Sequence, residues 1–512
     1  MAVRPASPAT VQSPDRPTIP VTSPISGEVI GRVPHHTPED VIAAVERVRA
    51  AQPEWAARPF RERAKVIKRF HDRLLSSKDE IMAVIQAEAG KSRRDAFVEI
   101  FAVAAEARYY ACNGWRFLKP RRARPAIPLR NRVRVYYHPH GVVGIISPWN
   151  FPLILSVGDA IPALLAGNGV VVKPATLAPL SIHRAREELI ECGLPEDLMQ
   201  IVTGPGSEIG NALIDHVDYV MFTGSTRVGR RVAERAARRL IPYSMELGGK
   251  NALIVLPDAD LDHAAIGAVE GAFNNCGQVC INWERVYVDA RVYDEFIARL
   301  IRKTEELRLG PGQGHDVDLG SLVNEEQVRA VEAHVQDAVS KGARILTGGR
   351  RRPDLGPCFY EPTILADVTP EMAVHSEETF GPVLSVYRVE SLEEAIQKAN
   401  DNPYGLHFGV FTRDRHRGER IATRLEAGSV SVNDTYINWA AMDAPMGGLK
   451  QSGLGRRHGP EGIRKYTEPQ TIVINRTNLQ IGSQKTALSF DRWLEDLLTF
   501  MLRVWRHIPL IR

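Results

Sequence analysis

Residues 38–118 carry apolar positions at three- and four-residue spacing. The segments are DVIAAVERVRAAQPEWA, RERAKVIKRFHDRLLSSKDEIMAVIQAEAG and FVEIFAVAAEARYYACNGWRFL. This spacing predicts amphipathic helices, and Gly90 is placed to end one of them. After Pro120 the pattern changes to alternation in RNRVRVYYHPHG, a strand exposed on one face. Four short apolar runs follow, in GVVGIISPWN, GNGVVVKPA, LMQIVTGPG and YVMFTGS. Each leads through a turn into a helical stretch, the alternation of a parallel sheet in an α/β domain. A second such pattern, with NALIVL, RVYVDA, PVLSVYRV and GSVSVN as strands, runs from Gly249 to Lys450. The break between the two lies at ELGGK, and no internal repeat is evident. The final segment, FDRWLEDLLTFMLRVWRHIPLIR, is apolar over much of a helix with arginines near its end. It is expected to dock on its own or a neighbouring subunit, with a membrane-surface anchor as the weaker alternative.

Composition narrows the class. A chain of 512 residues is too long for one core and implies two or three domains. A net charge of +4 from 65 basic and 61 acidic residues gives no drive toward nucleic acid. The Pro- and Ser-rich first nineteen residues have no apolar core and are expected to be a flexible lead, not a signal peptide. Five cysteines, an odd number, fit a reducing compartment, and a cytoplasmic location is expected. No metal site is expected.

Several residues carry candidate chemistry. Cys280 ends FNNCGQVC; a thiol there is a nucleophile only as thiolate and needs a nearby base, and the bland alternative is a buried structural thiol. Cys276, four residues earlier, could form a redox pair with it or simply pack. Glu246 precedes two glycines in MELGGK, where desolvation would make it a base near neutral pH; a surface carboxylate is the alternative. Asn150 follows the strand GVVGII in SPWNFP, at the carboxyl end where α/β sheets bind ligands, and its amide could serve an oxyanion or only a turn. Lys173 lies just past another strand end, and Gly224 and Ser225 open a helix whose N–H groups suit a pyrophosphate. The GPGSEIG segment, with Gly206, has only the outline of a dinucleotide fingerprint.

Taken in order, PWNFP, KPA, FTGS, ELGGK, GQVC, EETFGPV and PMGGLKQSGLGR resemble the aldehyde dehydrogenase superfamily over residues 20 to 476. The resemblance implies an α/β fold with a Rossmann-like NAD(P)-binding domain (20–118 and 140–248) and an α/β catalytic domain (249–450). It also implies a β oligomerisation arm (119–139 and 468–480), hence a homodimer or homotetramer, with 481–512 left as an amphipathic tail. It implies that Cys280 attacks an aldehyde, Asn150 and the Cys280 N–H hold the oxyanion, and Glu246 activates the hydrolytic water. Trp149, Lys173, Thr176, Gly206, Gly224, Ser225, Leu247, Glu378 and Phe380 are implied at the NAD or NADP site. A threonine at 176, where NAD-preferring relatives often carry glutamate, admits the 2′-phosphate of NADP⁺. QAEAGK, DLGSL, FYEPT and GRRHGPEGIRKYTE resemble actinobacterial succinate-semialdehyde dehydrogenases. Other enzymes of that specificity clamp the substrate carboxylate with two arginines, and those places here read Gly158 and Asn274. His183 and Arg285 are not obvious substitutes, so aliphatic or aromatic aldehydes stay open, with Trp283 as a possible wall. Glu246 argues against acyl transfer to coenzyme A, and the full set of residues argues against an inactive binding protein on this fold.

Overall fold

The computed structural model describes residues 9–10, 16–125, 130–435, 437–477 and 492–507. Four helices open the chain: α1 (Pro38–Ala57), α2 (Phe60–Ser76), α3 (Lys78–Ala89) and α4 (Arg93–Leu118). The single periodic stretch read across 61–90 is divided at Ser77, whose hydroxyl donates to the Arg73 carbonyl and closes the turn. Gly90 ends α3 at φ 71°, in the left-handed region. Part of the amino-terminal lead is ordered: Ala9–Thr10 and the strand Thr18–Thr22 pair with Val29–Pro34. The rest of that lead lies outside the described residues.

The first sheet is built from β1 (Val142–Ile146), β2 (Gly169–Lys173), β3 (Met199–Ile201), β4 (Tyr219–Thr223) and β5 (Tyr243–Glu246). Its order, β3-β2-β1-β4-β5, is parallel throughout, and Gly453–Leu454 adds an antiparallel edge to β5. A two-residue strand has no periodicity, so that edge was invisible in the sequence. The order reverses between β1 and β4, and a crevice opens there beyond the carboxyl ends of the strands. Both faces are covered by helices, including α5 (Asp159–Ala166), α6 (Leu180–Glu191), α7 (Gly206–His216) and α8 (Thr226–Arg238).

Only Leu247-Gly248-Gly249-Lys250 separates β5 from β6 (Asn251–Val255), the first strand of the second sheet. That sheet also holds β7 (Trp283–Asp289), β8 (Thr363–Ala366), β9 (Val383–Val389), β10 (His407–Phe411) and β11 (Ser429–Val432). Its order is β8-β9-β7-β6-β10-β11, parallel, with Arg344–Thr347 antiparallel at one edge. The chain leaves the first sheet at a carboxyl end and enters the second at an amino end. Loops from those two edges therefore face each other across a seam.

A third, antiparallel sheet joins Arg121–Ala123, Asn131–Pro139 and Thr467–Asn475. Its last strand stays exposed after Thr467, Ile472, Val473 and Ile474 included. In the tail, Arg492–Trp505 is helical; Leu494 is buried while Trp493, Phe500 and Leu502 are exposed. Residues 478–491 and 508–512 lie outside the described residues. No helix among those described is long and apolar enough to cross a membrane.

Candidate active site

Cys280 lies on the loop between α9 (Leu261–Phe273) and β7. Buried amides fix this loop. Asn251 Nδ2 donates to the carbonyls of Cys280 and Asn282, each at 2.8 Å, while its Oδ1 accepts the His407 N–H. Gln278 Oε1 accepts the Val323 N–H at 2.9 Å. Gly277 has φ 73°, and a Cβ there would lie 2.0 Å from the Gly381 carbonyl oxygen. Glycine is required, because the loop presses on the Glu378–Gly381 turn. Burial pushes the Cys280 thiol up to about 12, with Glu378 and Glu246 adding to the effect. An activating base is thus essential.

Glu246 ends β5 and lines the same cleft as Cys280. Burial raises its carboxyl to about 7, against the pull of Arg457 and Lys465. Arg457 Nη1 lies 3.8 Å from Glu246 Oε2, and its fork holds Asp159 at 2.7 and 3.0 Å and the Thr223 hydroxyl at 2.6 Å. One buried guanidinium thus keeps the base within reach of ionisation at neutral pH.

Asn150 follows β1. Its Nδ2 donates to the Gln278 carbonyl at 3.0 Å, and Asn275 Nδ2 donates to the carbonyls of both Asn150 and Gln278. The Asn150 amide and the nucleophile loop are therefore locked together. The second Nδ2 hydrogen of Asn150 is left for a ligand.

The opposite side of the seam suits a dinucleotide. Ser225 caps α8, and the first turn of that helix presents free N–H groups. Lys173 is buried with the Pro174 carbonyl as its hydrogen-bond partner, and burial lowers it to about 8. Gly206 lies beside it: a Cβ there would stand 4.0 Å from Lys173 Nζ. Thr176 is half-buried nearby in sequence. Leu247 packs where Gly229 has no side chain. The Gly249 N–H donates to Glu378 Oε1 at 2.9 Å, and a Cβ on Gly248 would sit 2.3 Å from Oε2. The Phe380 ring meets Trp149 edge-on at 5.5 Å. Phe380 holds a left-handed φ of 53°, sustained because buried Glu284 accepts the N–H groups of Thr379 and Phe380 and pairs with Lys250. This donor set fits a ribose, a pyrophosphate and a nicotinamide ring.

The cleft leading to Cys280 encloses about 920 Å³, including space open to solvent. Phe151, Ile154, Leu155, Val279, Ile281, Trp439, Met442 and Met446 make its walls apolar. Asp95, Val98, Ala102 and Glu106 line it from one face of α4.

The aldehyde dehydrogenase family profile matches residues 11–472. The chain belongs to the aldehyde dehydrogenase family. It is 47% identical over 496 residues to a Mycolicibacterium smegmatis protein provisionally named succinate-semialdehyde dehydrogenase [NADP(+)], covering 96% of this chain and 95% of the relative. A succinate semialdehyde dehydrogenase of Acinetobacter baylyi is 36% identical, covering 88% of this chain and 92% of the relative. The crystal structure of an NADP-dependent enzyme from E. coli superposes with a TM-score of 0.87 at 36% identity, covering 90% of this chain and 95% of that one. This aldehyde dehydrogenase is an enzyme that oxidises an aldehyde to the acid.

Some expectations need correction. Trp283 is no wall of the cleft: it is fully buried in β7, filling the space that Gly271 and Gly409 leave. Phe151 and Trp439 take that place. Arg285 is spent on the carbonyls of Lys250, Lys398 and Ala399, and half-buried His183 does not line the cleft. Cys276 is buried in the packing beneath the second sheet, and burial raises its thiol far above the ordinary value. Sequence reasoning passed over Asn251, Glu284, Asp159 and Arg457. Arg457 lay within the quoted GRRHGPEGIRKYTE, but nothing there reveals that it meets Glu246.

Replacing Arg457 with glutamine removes the cation that favours ionised Glu246, so the Glu246 pKa rises above about 7. The acidic limb of the kcat profile should move to higher pH, roughly tenfold in rate at fixed acidic pH for each unit. A limb that stays in place would show that Arg457 does not tune the base.

Proposed function

We propose that this enzyme oxidises succinate semialdehyde to succinate with NADP⁺ through a thioester on Cys280. The observation that carries the chemistry is that Cys280 and Glu246 line one apolar-walled cleft beside a cradle suited to a dinucleotide. Glu246, poised near neutral pH, takes the thiol proton, and the thiolate adds to the aldehyde carbon. The Asn150 amide and the Cys280 backbone N–H stabilise the resulting oxyanion. When bound, the nicotinamide accepts the hydride from that carbon. Cys280 then carries the acyl group as a thioester, and Glu246 draws a proton from water to release the acid. Lys173 and Thr176 would hold the adenosine ribose, Ser225 and the start of α8 the pyrophosphate, and Glu378 the nicotinamide ribose with Phe380 beside the ring.

The names of the mycolicibacterial and Acinetobacter relatives support the four-carbon semialdehyde. Arg94 hydrogen-bonds the Asn274 side chain, which lines the cleft, while pairing with Glu270 at 2.9 Å. The exposed strand 467–475 supports assembly into a dimer or tetramer, since a bare apolar edge invites pairing. The free cysteines support a cytoplasmic setting.

Three measurements test this reading. With NADP⁺, kcat/KM for succinate semialdehyde should exceed that for butanal at least tenfold; parity would refute the substrate. Thr176→Glu should turn the cofactor ratio toward NAD⁺ by tenfold or more, because a carboxylate repels the 2′-phosphate. An unchanged ratio would remove Thr176 from the site. Light scattering should give a dimer or tetramer mass that falls when Ile472 and Ile474 are both changed to lysine; a monomeric wild type would end the assembly reading.

A further inference from the structure

Glu106 is an ionisable group in the cleft that the chemistry above does not use. It sits on α4, eleven residues beyond Asp95, so the two carboxyls mark points roughly 16 Å apart along the helix axis. Its side chain is 93% removed from solvent, yet it lines the cleft, and among the described residues no hydrogen-bond donor meets its carboxyl. Its carboxyl faces the cleft, where a bound molecule can exchange hydrogen bonds with it. The carboxyl also fills the space left by Gly158: a Cβ there would lie 2.8 Å from Glu106 Oε2. Gly158 is a position where an arginine clamp was expected.

We infer that Glu106 is a specificity-determining residue whose carboxylic acid donates a hydrogen bond to an acceptor at the far end of the aldehyde. In the succinate semialdehyde reading, on which this rests, that acceptor is the substrate carboxylate. The charges around it make the acid form the working one. Burial, with Asp159 from α5, raises Glu106 to about 8 against Arg457 and Lys465 from the carboxy-terminal segment. Tyr110, one turn along α4, Tyr466, Glu246 from β5 and His458 are the other titratable groups near it. His458 is held down to about 4 by burial and by Arg457, so it stays neutral. An anion bound here raises Glu106 further. As pH climbs through about 8 in the free enzyme, the proton is lost and the carboxylate repels the substrate anion.

Four four-carbon aldehydes isolate this contact: succinate semialdehyde, 4-hydroxybutanal, butanal and 4-aminobutanal. The kcat/KM ratio of the first to the third should fall at least tenfold in Glu106→Leu and stay near wild type in Glu106→Gln, whose amide still donates. The ratio for 4-hydroxybutanal over butanal should fall in the same variant. Butanal turnover in each variant reports that the protein is folded. In wild type the first ratio should drop above pH 8, and in Glu106→Gln it should not. Ratios unchanged in Glu106→Leu would overturn the inference. So would a loss confined to 4-aminobutanal, because Glu106 would then be an ionised partner for a cation. A wild type that uses 4-hydroxybutanal but not succinate semialdehyde would refute the substrate reading alone. The hydroxyl-to-methyl ratio would still decide Glu106.

Discussion

Burial at the seam between the two sheets shifts the ionisable groups of the cleft toward their neutral forms. Glu246 and Glu106 are buried, Cys280 and Glu378 half-buried, and each is moved that way. A protonated thiol is a poor nucleophile and a protonated carboxyl is no base. Cations that favour the ionised form offset part of this at Glu246. Arg457 is the first of them, with Lys465 beside it. Held by Asp159 and Thr223, it presents its remaining nitrogen toward Glu246, not toward Glu378. Glu378 is raised by burial and by the neighbouring Glu284 instead.

The seam itself is a consequence of chain direction and of small residues. Because four residues carry the chain from the end of β5 to the start of β6, the base and the nucleophile loop reach the same gap from opposite sheets. Gly248 and Gly277 then allow contacts that any side chain would block, against Glu378 and the Gly381 carbonyl. Asn251, the first residue of β6, ties the Cys280 carbonyl to that strand. In the proposed mechanism, this placement is what lets a thiol, a carboxyl and an amide act together.

Much of this was readable in the chain. Period-two and period-3.6 patterns placed both α/β units, and the break at ELGGK coincides with the passage between sheets. Cys280, Glu246 and Asn150 stood out through the resemblance of GQVC, ELGGK and PWNFP, in order, to one family; each alone read as well as a packed or surface residue. Other features were hidden for physical reasons. Arg457 and Asp159 are 298 residues apart, and only folding makes them a pair. Trp283 reads equally well as a wall or as core, since burial of an aromatic residue depends on glycines 271 and 409 in distant elements. Glu106 lies in a helix whose pattern says nothing about which cleft its polar positions line.

The most direct test of the account is to trap the acyl group. Glu246→Gln removes the hydrolytic base while leaving Cys280 in place. Incubated with NADP⁺ and aldehyde at a pH high enough to ionise some of the thiol, this variant should release one equivalent of reduced cofactor per site and then stall. Mass spectrometry of the digested protein should find the acyl mass on the peptide containing Cys280. Continued turnover at the wild-type rate, or an acyl adduct on any other residue, would contradict it.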